Sequence, residues 1–256
     1  MAWNPERYLQ FSRERELPCS DLISRLRFES FENITDLGCG PGNSTALLRA
    51  AFPKAQITGV DASPEMLGAA RQRLASATFL QGNIQSWTPD KAVDLMFSNA
   101  ALQWVDNHSV LVPRLFATVR SGGYLAVQMP YRDELSPISR VLRAVENHDP
   151  WAAYFRKPVR TWSVHEPAAY YNWLCGGSHR IDIWLADYYH PLPDARHVID
   201  WYRGTSLQPY MAALPSEQLR GEVLQFCYDA IRDMYPLQMD GKIMFSIRRL
   251  FIVAQR

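Results

Sequence analysis

The chain has 256 residues, enough to bury a full core as one large domain or as a domain with a lid. Its 27 basic residues balance 26 acidic ones, so overall charge gives no support to a nucleic-acid or membrane-surface role. Four cysteines (Cys19, Cys39, Cys175, Cys227) lack metal spacing, no apolar run is long enough to span a membrane, and the N-terminus lacks a signal-peptide core; together these point to a reduced, cytoplasmic setting.

Residues 3–27 carry helical spacing at Tyr8, Leu9, Phe11, Leu22, Ile23 and Leu26, which predicts an N-terminal helical arm. A short apolar strand then ends at Asp36. Glycines follow at every second position, Gly38, Gly40 and Gly42, before a helix over 44–52. Such a turn lets the backbone bend sharply and approach a ligand closely. The helix behind it presents free N–H groups and a positive dipole end. A dinucleotide fingerprint would place its last glycine where Asn43 stands, and no Gly-Lys-Ser/Thr closes the turn as in a P-loop. The turn is a nucleotide-type site of another kind.

A strand over 55–60 leads to Asp61, 21 positions beyond Gly40, about where a second-strand carboxylate meets ribose hydroxyls. A helix-capping role before Pro64 would explain the residue type but not that distance. A helix over 64–74, a strand over 78–81 and Gly82-Asn83-Ile84 come next. The strand over 92–97 delivers Asn99, Gln103 and Trp104 at its carboxyl end, where ligands sit in open α/β sheets; Trp104 fits equally well as an apolar plug under the following helix. That helix (109–119), the turn 120–123 and a strand over 124–129 complete a strict alternation of strand and helix. The pattern predicts an α/β fold with a doubly wound parallel sheet.

After residue 130 the pattern changes. Residues 134–154 are helical in spacing, 166–174 form a sheet-packing helix, and 180–190 form a strand ending in Tyr188-Tyr189-His190. Residues 191–236 return to helix and 243–254 to strand. The expected organisation is a core of 1–130, 166–190 and 241–256, with helical insertions at 131–165 and 191–240 joining into a cap over the site. If the last strand runs antiparallel beside its neighbours, Arg248 and Arg249 come near the ligand mouth, opposite Tyr188, Tyr189 and His190. Alternation allows only one of the two arginines to point inward.

The segment Asp-Leu-Gly-Cys-Gly-Pro-Gly at 36–42, in its strand–turn–helix setting, resembles the first motif of the class I S-adenosylmethionine (SAM)-dependent methyltransferases. The resemblance implies a Rossmann-like, seven-stranded sheet, SAM as cofactor and S-adenosylhomocysteine as product. It places Asp36, Gly38, Gly40, Gly42, Asp61 and Asn99 at the cofactor, Ala62 and Met66 beside the adenosine, and Asn83 and Ile84 at the adenine edge. It makes Tyr8 a lid residue. Many relatives carry Asp where this chain has Asn83, whose amide oxygen still accepts from the adenine amino group.

Further segments extend the likeness: Trp-Asn-Pro-Glu-Arg-Tyr at 3–8, Asn-Ala-Ala-Leu-Gln-Trp at 99–104, Leu-Ala-Val-Gln-Met-Pro at 125–130, Tyr-Tyr-His at 188–190 and Arg-Leu-Phe-Ile-Val-Ala at 249–254. Together they are similar to the trans-aconitate 2-methyltransferase family over nearly the whole chain. The implied reaction is methyl esterification of one carboxylate of a small polycarboxylate. Gln103, Trp104, Tyr188, His190 and Arg249 would face the acceptor, and the resemblance selects Arg249 over Arg248.

The residues agree with a carboxyl acceptor. An amine, phenol or carbon nucleophile needs a tuned base, whereas a carboxylate is already ionised at neutral pH. The chain has no Asn-Pro-Pro-Tyr, no locally spaced His–carboxylate pair and no reactive cysteine motif, so no residue is assigned as catalytic base. If there is a base, His190 is the best candidate; the blander alternative is a hydrogen-bonding histidine beside two tyrosines. A desolvated carboxylate needs cations, and Arg132, Arg203 and Arg249 fall on mouth-side segments. Two alternatives stand. One is carboxyl methylation of another acid, such as a malonyl carrier protein, which asks for an exposed basic surface. The other is a non-catalytic SAM sensor whose cap binds a partner.

Overall fold

The structure is a computed structural model describing residues 12–131, 136–156, 159 and 162–256. The expectations placed on Tyr8 and Arg132 fall outside these residues. Seven strands, β1 Asn33–Leu37, β2 Gln56–Asp61, β3 Thr78–Gln81, β4 Val93–Asn99, β5 Val119–Pro130, β6 Arg180–Leu192 and β7 Ile243–Gln255, form one sheet in the order β3-β2-β1-β4-β5-β7-β6. The first five run parallel to their neighbours, and β7 pairs antiparallel with β5. The chain winds outward from β1 to β3, then returns to lay β4 on the other side of β1. The carboxyl ends of β1 and β4 therefore border a topological switch point, the usual ligand crevice of such a sheet.

Local chemistry explains the elements. Every residue of β4 except Asn99 is buried, as befits a central parallel strand covered on both faces. Its one carboxylate, Asp94, is satisfied at the strand's start by an ion pair with Arg120 and by the N–H groups of Glu32 and Asn33, each at 2.7 Å. Burial alone would raise the Asp94 carboxyl, but these donors outweigh it and hold it below the usual carboxylate range. The helix Pro64–Arg73 begins with Pro at its first position and Ser63 as cap, the Ser63 hydroxyl accepting from Met66 N–H at 3.2 Å.

One difference from expectation concerns the start of β5. The Arg120-Ser-Gly-Gly123 segment, expected as a turn, is strand with a register shift: Val119 pairs with Val93, and regular pairing resumes at Tyr124. Gly122 takes φ +77°, and its N–H donates to Arg256 C=O while Arg256 N–H donates to Gly123 C=O. These two bonds to Arg256, just past the end of β7, hold the segment in the sheet.

The chain divides into two compact units. Residues 12–131, 163–186 and 249–256 make the sheet-bearing unit. On one face of its sheet Leu37, Met96, Leu125, Val127, Leu250 and Ile252 pack with the helices His108–Ala117 and Pro167–Leu174. In the other unit, whose described residues are 136–156, 159, 162 and 187–248, the helix Pro137–Glu146 buries Ile138, Val141, Leu142 and Val145 as one stripe. The helices Ala195–Arg203 and Glu217–Arg232 share that core, through Val198 and Ile199 and through Val223, Cys227 and Ile231. No helix among the described residues is long and apolar enough to cross a membrane.

Candidate active site

At the end of β1 the glycine turn folds back on β2: the N–H groups of Gly38 and Cys39 donate to Val60 C=O at 2.7 and 3.1 Å. Gly38, Gly40 and Gly42 all take positive φ, at 72°, 52° and 85°. For Gly38 the requirement is double, because an added Cβ would also overlap the Ala101 Cβ. The loop after β4 thus lies against the glycine turn. That loop is itself bent through the left-handed region at Ala100 (φ 53°), whose N–H donates to Gln128 C=O on β5 at 2.9 Å.

Asp36 lies beneath the turn, fully buried. Its Oδ2 accepts from the hydroxyls of Ser44 and Thr45, both at 2.7 Å, on the first turn of the helix Asn43–Ala51. Its Oδ1 has no partner. Burial is the dominant influence and pushes the carboxyl up to about 6, against the lowering pull of the two hydroxyls. Asp61 ends β2 and grips the turn: Oδ2 accepts from Gly40 N–H at 3.0 Å and Oδ1 from Ser63 N–H at 2.9 Å. The helix cap belongs to Ser63, so Asp61 ties the glycine turn to the end of β2 and keeps spare lone pairs for a further donor.

Around this centre Met66 is buried and Ala62 is exposed. Ile84 is half-buried, with its Cδ1 3.4 Å from a Cβ built on Gly38. Asn83 is exposed, and its Oδ1 accepts locally from Gln85 N–H at 3.0 Å. Beyond β4, Asn99 Oδ1 has no partner. Gln103 is buried; its Nε2 donates to Ala100 C=O at 2.7 Å and its Oε1 has no partner. Trp104 is half-buried in the same short 3-10 turn, Leu102–Trp104. Arg249, paired in register with Pro130, is buried in the sheet-bearing unit.

Four predicted residues lie in the other unit. Arg248 is a surface residue that forms a two-pronged pair with Asp187 at 2.8 and 2.9 Å. Arg203 faces Asp200 at 3.6 Å. His190 is buried, its ring stacked on Trp201 at 5.6 Å and near Phe245, while Tyr188 is half-buried on the same strand.

A residue pair missed from sequence supports the loop after β4. Buried His108 places Nε2 2.9 Å from Leu102 C=O and Nδ1 2.7 Å from the Tyr170 hydroxyl. A carbonyl only accepts, so Nε2 carries the proton and Nδ1 accepts from Tyr170. The Tyr170 oxygen in turn accepts from His165 N–H at 3.2 Å. Burial, the largest influence, lowers the His108 pKa and keeps the ring neutral. Sixty-odd positions separate the two side chains, and neither belongs to a motif that would have flagged them.

A family described as "Methyltransferase domain" matches residues 35–127, which include the glycine turn, Asp61 and the loop after β4. A trans-aconitate 2-methyltransferase of Methylobacterium radiotolerans is 42% identical over 99% of this chain and 98% of its own length. One of Klebsiella pneumoniae is also 42% identical, over 99% and 98%. The chain belongs to the trans-aconitate 2-methyltransferase family. Its fold is also that of the YcgJ protein of Bacillus subtilis, with a TM-score of 0.63 over 94% of this chain and 99% of that one at 15% identity. It is a SAM-dependent methyltransferase of class I, with the expected α/β, Rossmann-like seven-stranded sheet.

The residues of this methyltransferase suit SAM. The buried carboxylate oxygen of Asp36 is an acceptor for a cationic group, and a Cβ built on Gly40 meets nothing within 4 Å, so the turn's backbone is open there. Asp61 adds a second acceptor at the end of β2. Among the described residues no group of three or more histidine, cysteine and carboxylate side chains could hold a metal ion.

Proposed function

We propose that the chain esterifies one carboxylate of trans-aconitate, leaving the monomethyl ester and S-adenosylhomocysteine. The observation that carries the acceptor is the full-length likeness to relatives bearing that name, which extends through the inserted unit as well as the sheet. In this proposal Asp36 Oδ1 receives the ammonium end of SAM and Asp61 its ribose hydroxyls, with Ala62, Met66, Asn83 and Ile84 around the adenosine. Gln103, Trp104 and Arg249 meet the acid.

SAM supplies a methyl group on a positively charged sulfur. The acceptor carboxylate attacks that carbon in line with the breaking carbon–sulfur bond, whose electron pair stays on sulfur. No proton moves, which is why the site needs alignment more than a base. Arg249 counters the cost of drawing a polyanion out of water, each charge-assisted hydrogen bond contributing roughly 1.5–3 kcal/mol. The ring of His108 is neutral and engaged on both nitrogens, and it holds the Gln103 loop in place instead of taking a proton from substrate.

The test is transfer of a labelled methyl group from SAM. Base-labile ester from trans-aconitate is the expected product. Ester formed only on malonyl carrier protein would replace the acceptor, and SAM binding without turnover across a panel of acids would make the chain a sensor.

A further inference from the structure

The ladder register aligns a row of polar residues across one face of the sheet. Asp36 pairs with Phe97; two residues on, Asn99 pairs with Gln128; two residues on again, Pro130 pairs with Arg249. Paired residues share a face, and so do residues two apart on one strand. Asp36, Asn99, Gln128 and Arg249 therefore stand on the same face of the sheet, the first three toward the carboxyl ends of β1, β4 and β5 and Arg249 beside Pro130 on the antiparallel β7. All four lie within the sheet-bearing unit.

Gln128 is the member of this row without a role. It is 1% exposed, and its Nε2 donates to nothing. Its lateral neighbour Asn99 likewise has an oxygen that accepts nothing. The other residues of β5 from Leu125 to Pro130 are apolar and buried, so filling space here asks for a Leu or Met, not an amide. A donor stripped of water and left unpaired is costly, and it makes sense where an acceptor arrives with a ligand. Position narrows the ligand. β1 carries the glycine turn; Gln128 stands two strands from it, between Asn99 and the strand bearing Arg249.

We propose that Gln128 Nε2 donates a hydrogen bond to a carboxylate oxygen of the acceptor acid and is a specificity-determining residue for carboxylate-bearing acceptors. This rests on the acceptor class given above. A carboxylate offers only lone pairs, which an amide N–H complements; an amine nucleophile would bring more donors to a donor. The neutral group has a second merit. A further cation on the attacking carboxylate would stabilise the ground-state anion more than the transition state, in which its charge is being dispersed. Gln128 orients that anion without adding charge.

Two near-isosteric variants test this: Gln128→Met removes the donor, and Gln128→Glu replaces it with an anion. Initial rates would give the KM for trans-aconitate and for SAM, with S-adenosylhomocysteine affinity taken by calorimetry on the full chain. The expected result is a KM for the acid raised roughly 10- to 100-fold in Gln128→Met and further in Gln128→Glu, with SAM KM and S-adenosylhomocysteine affinity within about twofold of wild type. Either variant, if folded, decides. An unchanged KM for the acid, or a loss confined to the nucleoside, overturns the proposal. If wild type methylates a different acid, the trans-aconitate reading falls alone, and the same comparison with that acid decides the case of Gln128. If wild type takes no acid, both fall.

Discussion

Replacing Asp36 with Asn separates what this carboxylate costs the fold from what it does for a ligand. The side chain is fully buried, two hydroxyls hold one oxygen, and the carboxyl is pushed from 3.8 up to about 6 chiefly by burial. The folded chain therefore binds this proton more tightly than the unfolded chain between about pH 4 and 6. Stability associated with the protonated form is present below that window and is lost as pH rises through about 6. At about 1.4 kcal/mol per pH unit the loss comes to about 3 kcal/mol. The substituted amide would keep an acceptor for Ser44 and Thr45 without the buried charge. At pH 8 the ligand-free Asp36→Asn variant should be more stable by about 1–3 kcal/mol in urea unfolding, with a flatter pH dependence between about 4 and 6. Its affinity for S-adenosylhomocysteine should fall roughly 10- to 100-fold, the worth of one charge-assisted hydrogen bond. Wild-type affinity should fall likewise below about pH 6 as Asp36 protonates. A variant no more stable than wild type at pH 8 and equal in nucleoside affinity would refute the argument, because the charge would then be neither costly nor used.

Gly38→Ala must place a methyl group where the Ala101 Cβ already lies, at φ +72°, so it should displace the loop after β4 and abolish calorimetric S-adenosylhomocysteine binding. Tyr170→Phe strands His108 Nδ1 and His165 N–H; a thermal melt should show a loss of about 1–3 kcal/mol, and kcat should fall as the Gln103 loop loosens, with nucleoside affinity little changed. The lowered pKa of His108 means that the unfolded chain takes up this proton first as pH falls through 6.5, so its share of stability is present above that pH and lost below it; His108→Gln should flatten that part of the pH profile. Arg248→Ala removes an exposed pair, and should cost only about 0–1 kcal/mol in urea unfolding and leave the KM for the acid unchanged.

The sheet was legible because its signals are local. Apolar runs bounded by turns mark β1 to β4, and helices between most of them favour parallel pairing; the strict alternation expected from sequence fails once, because β3 leads to β4 with no helix between, and those two strands are not neighbours in the sheet. The glycine turn was legible for the same reason: the positive φ values at 38, 40 and 42 suit glycine, and the glycines are there to be read. Relations across the fold were not. His108 meets Tyr170 only once the helix Pro167–Leu174 packs beside the helix His108–Ala117, and neither side chain carries a local mark of that meeting.

The arginines at 248 and 249 show which physical quantity a sequence lacks. Alternation requires that they face opposite sides of β7, but it cannot say which is buried. That depends on register: Arg249 pairs with Pro130 and lies buried, while Arg248 reaches Asp187 at the surface. A slip of one residue between β5 and β7 would exchange the two and turn the apolar side chains of Leu250 and Ile252 to the opposite face. What opposes the slip is that burial itself: Leu250 and Ile252 would leave the core they share with Met96 and Val127, and the Arg248 side chain would be drawn in. The apolar residues that alternate with Arg249 along β7 therefore set the register, and through it the face of the sheet to which Gln128 and Arg249 belong.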